Sequence, residues 1–181
     1  ANWLKSNTDI EVFYAASPNI MFSHIGERNV LSMVSGVSYA LIIICVIMMF
    51  VLRSVKLGLI SLIPNLIPIG AAFGIWGLID GDVGISVGTA TGMILGIVVD
   101  DTVHFLSKYR RAISEKGYTS EQAIHYAFSM VGNALWITTF VLVCGFIVLT
   151  LSDFAMNADM GLFTALTITL ALAFDFIALP A

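Results

Sequence analysis

Apolar positions along this chain fall in long blocks. Five stretches, over residues 29–52, 57–79, 83–106, 132–151 and 160–180, are almost free of charge. A helix needs about 20 mostly apolar residues to cross a bilayer, so each block predicts a membrane-spanning helix. The connections RSVK (Arg53 to Lys56) and DGD (Asp80 to Asp82) are short and polar. The stretch Ser107 to Val131 is longer and has another period. Thr119 and Gln122 stand at capping-box spacing, and Ala123, Ile124, Ala127, Phe128 and Val131 share one helical face. This predicts an amphipathic helix over residues 119–130 on the membrane surface. A solvated connector is the plainer alternative. Ahead of the first block, Ile10 to Ala15 predicts a short strand, and Ser17-Pro18-Asn19 a turn or helix start.

The expected fold class is therefore all-α, a polytopic bundle of five transmembrane helices over residues 29–181. Residues 1–28 are expected to be the end of a water-exposed, extracytoplasmic α/β domain. The chain starts at Ala1 and stops inside an apolar pattern at Leu179-Pro180-Ala181, which reads as a piece of a longer protein.

Composition sharpens the class. The chain is 59% hydrophobic and 11% charged, with mean hydropathy +0.97. Soluble domains carry about 25% charged residues, and a globule of this size could not hide so much apolar surface. Cys45 and Cys144 lie inside apolar blocks and read as small hydrophobes. No CxxC, HExxH or glycine-rich nucleotide motif occurs. No metal, cofactor, nucleic-acid partner or enzymatic activity is expected.

Charge placement predicts topology. With five spans, RSVK and the stretch Ser107 to Val131 fall on one side, with six of the eight Lys and Arg residues. The other side has Lys5 and Arg28 and seven acids, among them Asp80, Asp82, Asp153 and Asp159. The positive-inside rule makes the basic side cytoplasmic. The N-terminal segment is then extracytoplasmic, the C-terminus cytoplasmic, and the location the inner (plasma) membrane.

The candidate chemistry lies in GIVVDDTVHF, Gly96 to Phe105. A carboxylate deep in a span costs about 2.5–3.5 kcal/mol on insertion scales, so it normally faces the bundle interior and finds partners. Asp100 lies about 8 Å past the middle of the third span, at about 1.5 Å per residue. Asp175 stands at similar depth in the fifth span. Thr138 and Thr139 in the fourth and Asn65 in the second fall in the same layer. Gly84, Gly88, Gly92, Gly96, Asp100 and His104 recur every four residues. Such a row drifts by only about 40° per step, so neighbours share a face. The glycines predict a groove into which another helix packs, and Asp100, continuing the row, is expected to face that helix. Asp101 points about 100° away and needs a separate environment. His104, nearer the interface, is explained equally by a relay or by capping of the helix C-terminus. Burial disfavours the charged form of a carboxylate. A group so placed can take up a proton on one side and release it on the other when its packing changes. The candidate proton-relay set is thus Asp100, Asp101, His104, Asp175, Thr138 and Thr139, with structural glue as the alternative role.

These residues resemble the resistance-nodulation-division (RND) superfamily, and within it the MMPL-type or predicted-exporter branch, related to sterol-sensing-domain proteins. SLIPNLIP (Ser61 to Pro68) resembles the proline-asparagine motif of the family's second span. GIVVDDTVHFLSKYRRA (Gly96 to Ala112) resembles its GxxVD(D/Y)TxHFxxRYR segment. Residues 131–154 and 160–181 resemble its last two spans, with Asp175 at the family's ADLLLLPAL pattern. The resemblance covers nearly the whole chain. It implies helices two to six of one six-helix repeat, the C-terminal one by preference, preceded by the tail of a porter-like domain. It also implies a proton-relay role for Asp100. The expected partners are membrane lipids, a hydrophobic or lipid substrate and the other six-helix repeat, with a homo-oligomer left open.

The leading expectation is a proton-driven exporter of hydrophobic or amphiphilic molecules such as lipids or drugs. A sterol-sensing-like regulatory domain without transport and a protein-translocation accessory of the same superfamily are the alternatives. An intramembrane aspartyl protease using Asp100 and Asp175 would call for YD and GxGD motifs, where this chain has Leu95-Gly96-Ile97-Val98-Val99-Asp100.

Overall fold

The structure, a computed structural model, describes residues 18–79 and 83–178. The described residues form helices and their connections, without strands: α1 (Pro18–Val51), α2 (Val55–Ile60), α3 (Leu62–Ile79), α4 (Ile85–Lys116), α5 (Ser120–Leu149) and α6 (Ala155–Ala178). Five of them, all but α2, are long and apolar enough to cross a membrane. The expected strand at Ile10 to Ala15 and the end of an α/β domain fall on residues 1–17, outside those described. Residues 18–28, expected to belong to that domain, form the first three turns of α1, which starts at Pro18, where a turn or helix start was expected. Proline suits a helix start because its missing N–H is one the first turn could not use.

Helix α1 ends in a Schellman motif. Arg53 N–H bonds the Phe50 carbonyl at 3.1 Å and Ser54 N–H the Met49 carbonyl at 3.2 Å. The motif puts the first of these two residues in the left-handed region, usually glycine. Here it is Arg53, with φ 42°. The chain turns back at once into α2. A Cβ on Gly58 would lie 2.7 Å from Met49 Cγ and 3.0 Å from its Cα, so α1 and α2 touch nearly backbone to backbone. The second expected span is therefore two helices, α2 and α3, parted at Ser61. Proline explains the break. Pro64 lacks an N–H, which leaves the Ile60 carbonyl without its helical donor, whereas Pro68 is accommodated inside α3.

Helix α4 has 32 residues, or about 48 Å at 1.5 Å per residue, against about 30 Å of hydrocarbon. Its last turns therefore extend beyond the apolar zone. Gly117, at φ 64°, ends it, and Thr119 caps α5 with the expected box. Gln122 N–H bonds Thr119 Oγ1 at 3.4 Å, and Thr119 N–H bonds Gln122 Oε1 at 3.2 Å. The expected surface helix over 119–130 is not a separate element: α5 continues unbroken through Gly132 into the fourth span. A lone glycine costs a helix about 1 kcal/mol, and packing here outweighs it. Phe105 of α4 meets Phe128 of α5 edge-on at 4.7 Å, and Val131 and Leu135 continue the contact. The apolar face of 119–130 is spent on α4.

Helix α4 is the centre of the bundle, touching α1, α3, α5 and α6. The main core joins Ile69, Ala72 and Trp76 of α3 to Val87, Ala90, Ile94, Leu95 and Val98 of α4 and Phe163 of α6. Phe163 sits between Phe73, tilted at 5.0 Å, and Trp76, edge-on at 5.6 Å between ring centroids. The outside of the bundle remains apolar, with Leu31, Phe50, Leu78, Phe140 and Leu151 exposed. In lipid this is the matching surface, and helices associate by close packing and internal hydrogen bonds.

Candidate functional site

The two adjacent aspartates of α4 face different ways, because successive residues on a helix point about 100° apart. Asp100 faces outward. Its side chain is 72% exposed, and its Oδ1 lies 3.6 Å from Nε2 of His104, one turn on and 60% exposed. The two form an ion pair when the imidazole is protonated. Gly92 and Gly96 lie on the same open face, where an added Cβ would meet nothing within 4 Å. Among the described residues, Gly88 alone of the glycine row comes close to another helix: a Cβ there would lie 2.8 Å from the Met33 sulfur of α1, whereas Gly84 faces Ser86 of its own helix. The expectation that Gly92, Gly96 and Asp100 face a packed helix is thus not met among the described residues. The four-residue spacing defines a face, but it carries no information on which helix covers it.

Asp101 turns inward and is half-buried. Across the interface with α6, its carboxylate lies within electrostatic reach of Asp175. Asp175 is 2% exposed, and its Oδ1 is buried without a hydrogen-bond partner among the described residues. The carboxylate that reaches Asp175 across α4 and α6 is thus Asp101, where the sequence had set Asp175 level with Asp100.

The next residue, Thr102, was not among the candidates. Its side chain is fully buried, and Oγ1 donates to Oδ1 of Asn65 at 2.8 Å. Asn65 Nδ2 in turn donates to the Ser61 carbonyl at 2.6 Å, and Ser61 Oγ to the Gly58 carbonyl at 2.8 Å. The chain of bonds runs from the aspartate turn of α4 to the break between α2 and α3. It gives a buried asparagine partners where an unmet polar group would be costly. The signal was present in the sequence, since threonine follows the two aspartates in the motif and Asn65 had been placed at the same depth.

The fourth-span threonines separate. Thr138 is exposed, and its hydroxyl returns to the carbonyls of Ala134 and Leu135 in its own helix. Thr139 is buried and faces α6, where it lines an apolar groove of about 300 Å³ with Trp136, Leu172 and Phe176. Neither has a hydrogen bond to a carboxylate among the described residues. No group of three or more His, Cys, Asp or Glu with metal-ligand geometry occurs among those residues either.

Long apolar helices around carboxylates held at membrane depth define a multi-pass helical membrane protein. The chain belongs to the MMPL family, which it matches over residues 6–181. It is also similar to "Putative membrane protein MJ1562" of Methanocaldococcus jannaschii, with 30% identity over 141 residues, 78% of this chain and 36% of that protein. The chain thus spans little more than a third of the length of this relative.

Proposed function

We propose that this chain is part of an RND-type exporter that uses the proton-motive force to move hydrophobic or amphiphilic molecules out of the inner membrane. The supporting observation is the carboxylate pair across α4 and α6, with Asp175 buried within electrostatic reach of Asp101 and a third carboxylate, Asp100, next to Asp101 in the chain. Two like charges in a low-dielectric interior repel strongly, so binding a proton there and releasing it is coupled to how α4 and α6 pack. Each proton moving down the membrane potential supplies about 2.3 kcal/mol per 100 mV. In this reading Asp100 and His104 form the accessible end of the relay, and Asp101 and Asp175 the inner end. Thr102 and Asn65 fix the rotation of α4 that separates the two aspartates.

An outward carboxylate within a span is expensive against lipid. We read the face of Gly92, Gly96 and Asp100 as covered in the whole protein by the other six-helix repeat. The basic end of the α4–α5 hairpin is then cytoplasmic. Apolar grooves such as the one beside Trp136 and Phe176 suit lipid-like cargo.

The test is export by the full-length protein in vesicles under an imposed pH gradient. Asp100→Asn, Asp101→Asn and Asp175→Asn should each yield folded protein that has lost gradient-driven export. Removing a buried charge takes away a desolvation cost, so stability should hold or rise in Asp175→Asn. Full gradient-driven export by folded Asp100→Asn would make that carboxylate structural and remove it from the relay, whereas absence of export by the wild type would favour the regulatory reading.

A further inference from the structure

A second polar site lies at the basic end of the bundle, away from the carboxylate layer. A cleft of about 460 Å³ opens between the end of α1 and the extension of α4, lined by Val51, Arg53, Ser107, Arg110, Arg111, Ser114 and Glu115. Three arginines face one carboxylate. Glu115 is already engaged, since its Oε2 accepts from Arg111 Nε at 2.6 Å. That leaves Arg53 and Arg110 as the cations not offset by an acid lining the cleft. Arg110 has Nη1 buried with no hydrogen-bond partner among the described residues. A guanidinium donor enclosed without an acceptor is costly, and an acceptor bound in the cleft removes that cost.

Arg53 adds an independent argument. It occupies the left-handed position that ends α1, at φ 42°, where glycine would fit without strain. The backbone there favours glycine, so what arginine contributes is its side chain, and that side chain lines the cleft.

We propose that this cleft is a phosphate site, filled by the headgroup of an anionic phospholipid or by free phosphate. Guanidinium groups match the oxygens of phosphate with directed, charge-assisted hydrogen bonds. The hydroxyls of Ser107 and Ser114 line the same cleft and add neutral donors. The position also fits. Val51 is the last residue of an apolar span, and Ser107 to Glu115 is where α4 leaves the hydrocarbon. Basic pockets between helices at that level recognise lipid headgroups. The inference does not rest on proton coupling or on export.

The experiment uses the purified full-length protein in detergent, with bound lipid counted by native mass spectrometry. It is titrated with phosphatidylglycerol and, separately, with phosphatidylcholine. Inorganic phosphate is then added as competitor. Wild type should retain phosphatidylglycerol in preference to phosphatidylcholine. Arg110→Gln should bind it roughly tenfold more weakly, the loss expected for one charge-assisted hydrogen bond. Arg53→Gly should weaken binding similarly while its thermal stability holds or rises, a combination that a purely structural arginine would not produce. Lys116→Gln removes an equal charge from the same end, but that ammonium sits over the Tyr126 ring at 4.1 Å and does not line the cleft. Its effect should stay under about twofold, as expected of a distant, screened charge. Displacement by inorganic phosphate identifies the free ion as a ligand, and resistance to it identifies the lipid headgroup. Either result supports the site. Equal retention of the two lipids would overturn it, as would unchanged affinity in both arginine variants or an equal loss in Lys116→Gln.

Discussion

Gly161 and Gly96 lie at comparable helical positions but should respond in opposite ways to one added methyl group. At Gly161, in the second turn of α6, a Cβ would sit 2.6 Å from the Phe146 carbonyl oxygen, 2.8 Å from Leu149 Cβ and 3.2 Å from the Thr150 nitrogen. Ordinary contact begins at 3.4 Å, so the α5 and α6 backbones would have to part by about 0.8 Å. Two of the three obstructing atoms are backbone and cannot rotate away. Overpacking of this kind costs about 1–3 kcal/mol, against at most about 1 kcal/mol gained from the better helix propensity of alanine. With two backbone atoms in the way the clash wins, and Gly161→Ala should lose up to about 2 kcal/mol net. At Gly96 nothing among the described residues lies within 4 Å, so only the propensity gain applies among them. The assay is the fraction of full-length protein that stays monodisperse after heating in detergent, followed by size exclusion. Gly161→Ala should melt several degrees below wild type. Wild-type behaviour in that variant would refute the close α5–α6 contact. The Gly96→Ala result is informative in either direction: unchanged or higher stability leaves that face open, and a loss shows that a segment other than the described residues covers it.

Other outcomes follow from the same geometry. Thr102→Val leaves the fully buried Asn65 Oδ1 without its donor and should cost about 1–2 kcal/mol. A double-mutant cycle with Asn65→Leu should return a coupling near 0.6 kcal/mol or above, the range for hydrogen bonds between membrane helices, and strict additivity would mean that the bond contributes nothing. Topology has a direct check. A cysteine in place of Lys116 should be labelled only from the cytoplasm and one in place of Asp153 only from outside, and labelling of position 116 by an impermeant reagent on intact cells would reverse the proposed orientation.

What could be read from sequence, and what could not, divides along a physical line. The spans were legible because the bilayer imposes a length on each apolar block, and length is a local property. The Thr119–Gln122 cap was legible for the same reason, since its bonds close within four residues. Rotation about a helix axis is different. In water, the polar face of a helix shows which side is outside, but in lipid the outer face is as apolar as the core. Nothing in the pattern of α4 therefore shows which aspartate looks inward. Depth suggested a link between the third and fifth spans, and α4 and α6 do pack together, but the choice between Asp100 and Asp101 was made by α6 packing on the Asp101 side. The glycines follow the same logic. The regular row in α4 invites a packing role, yet the closest approaches to backbone are at isolated Gly58 and Gly161, which no periodicity marks. They lie where a short turn folds one helix back on the last, at Arg53–Ser54 and at Thr150–Phe154. Two helices joined by so few residues must begin close together, and glycine is the residue that lets them. The turn length, not the glycine spacing, was the available signal. By the same reasoning, the open row of α4, which no turn ties to a neighbour, is the face on which a contact from outside this chain remains to be sought.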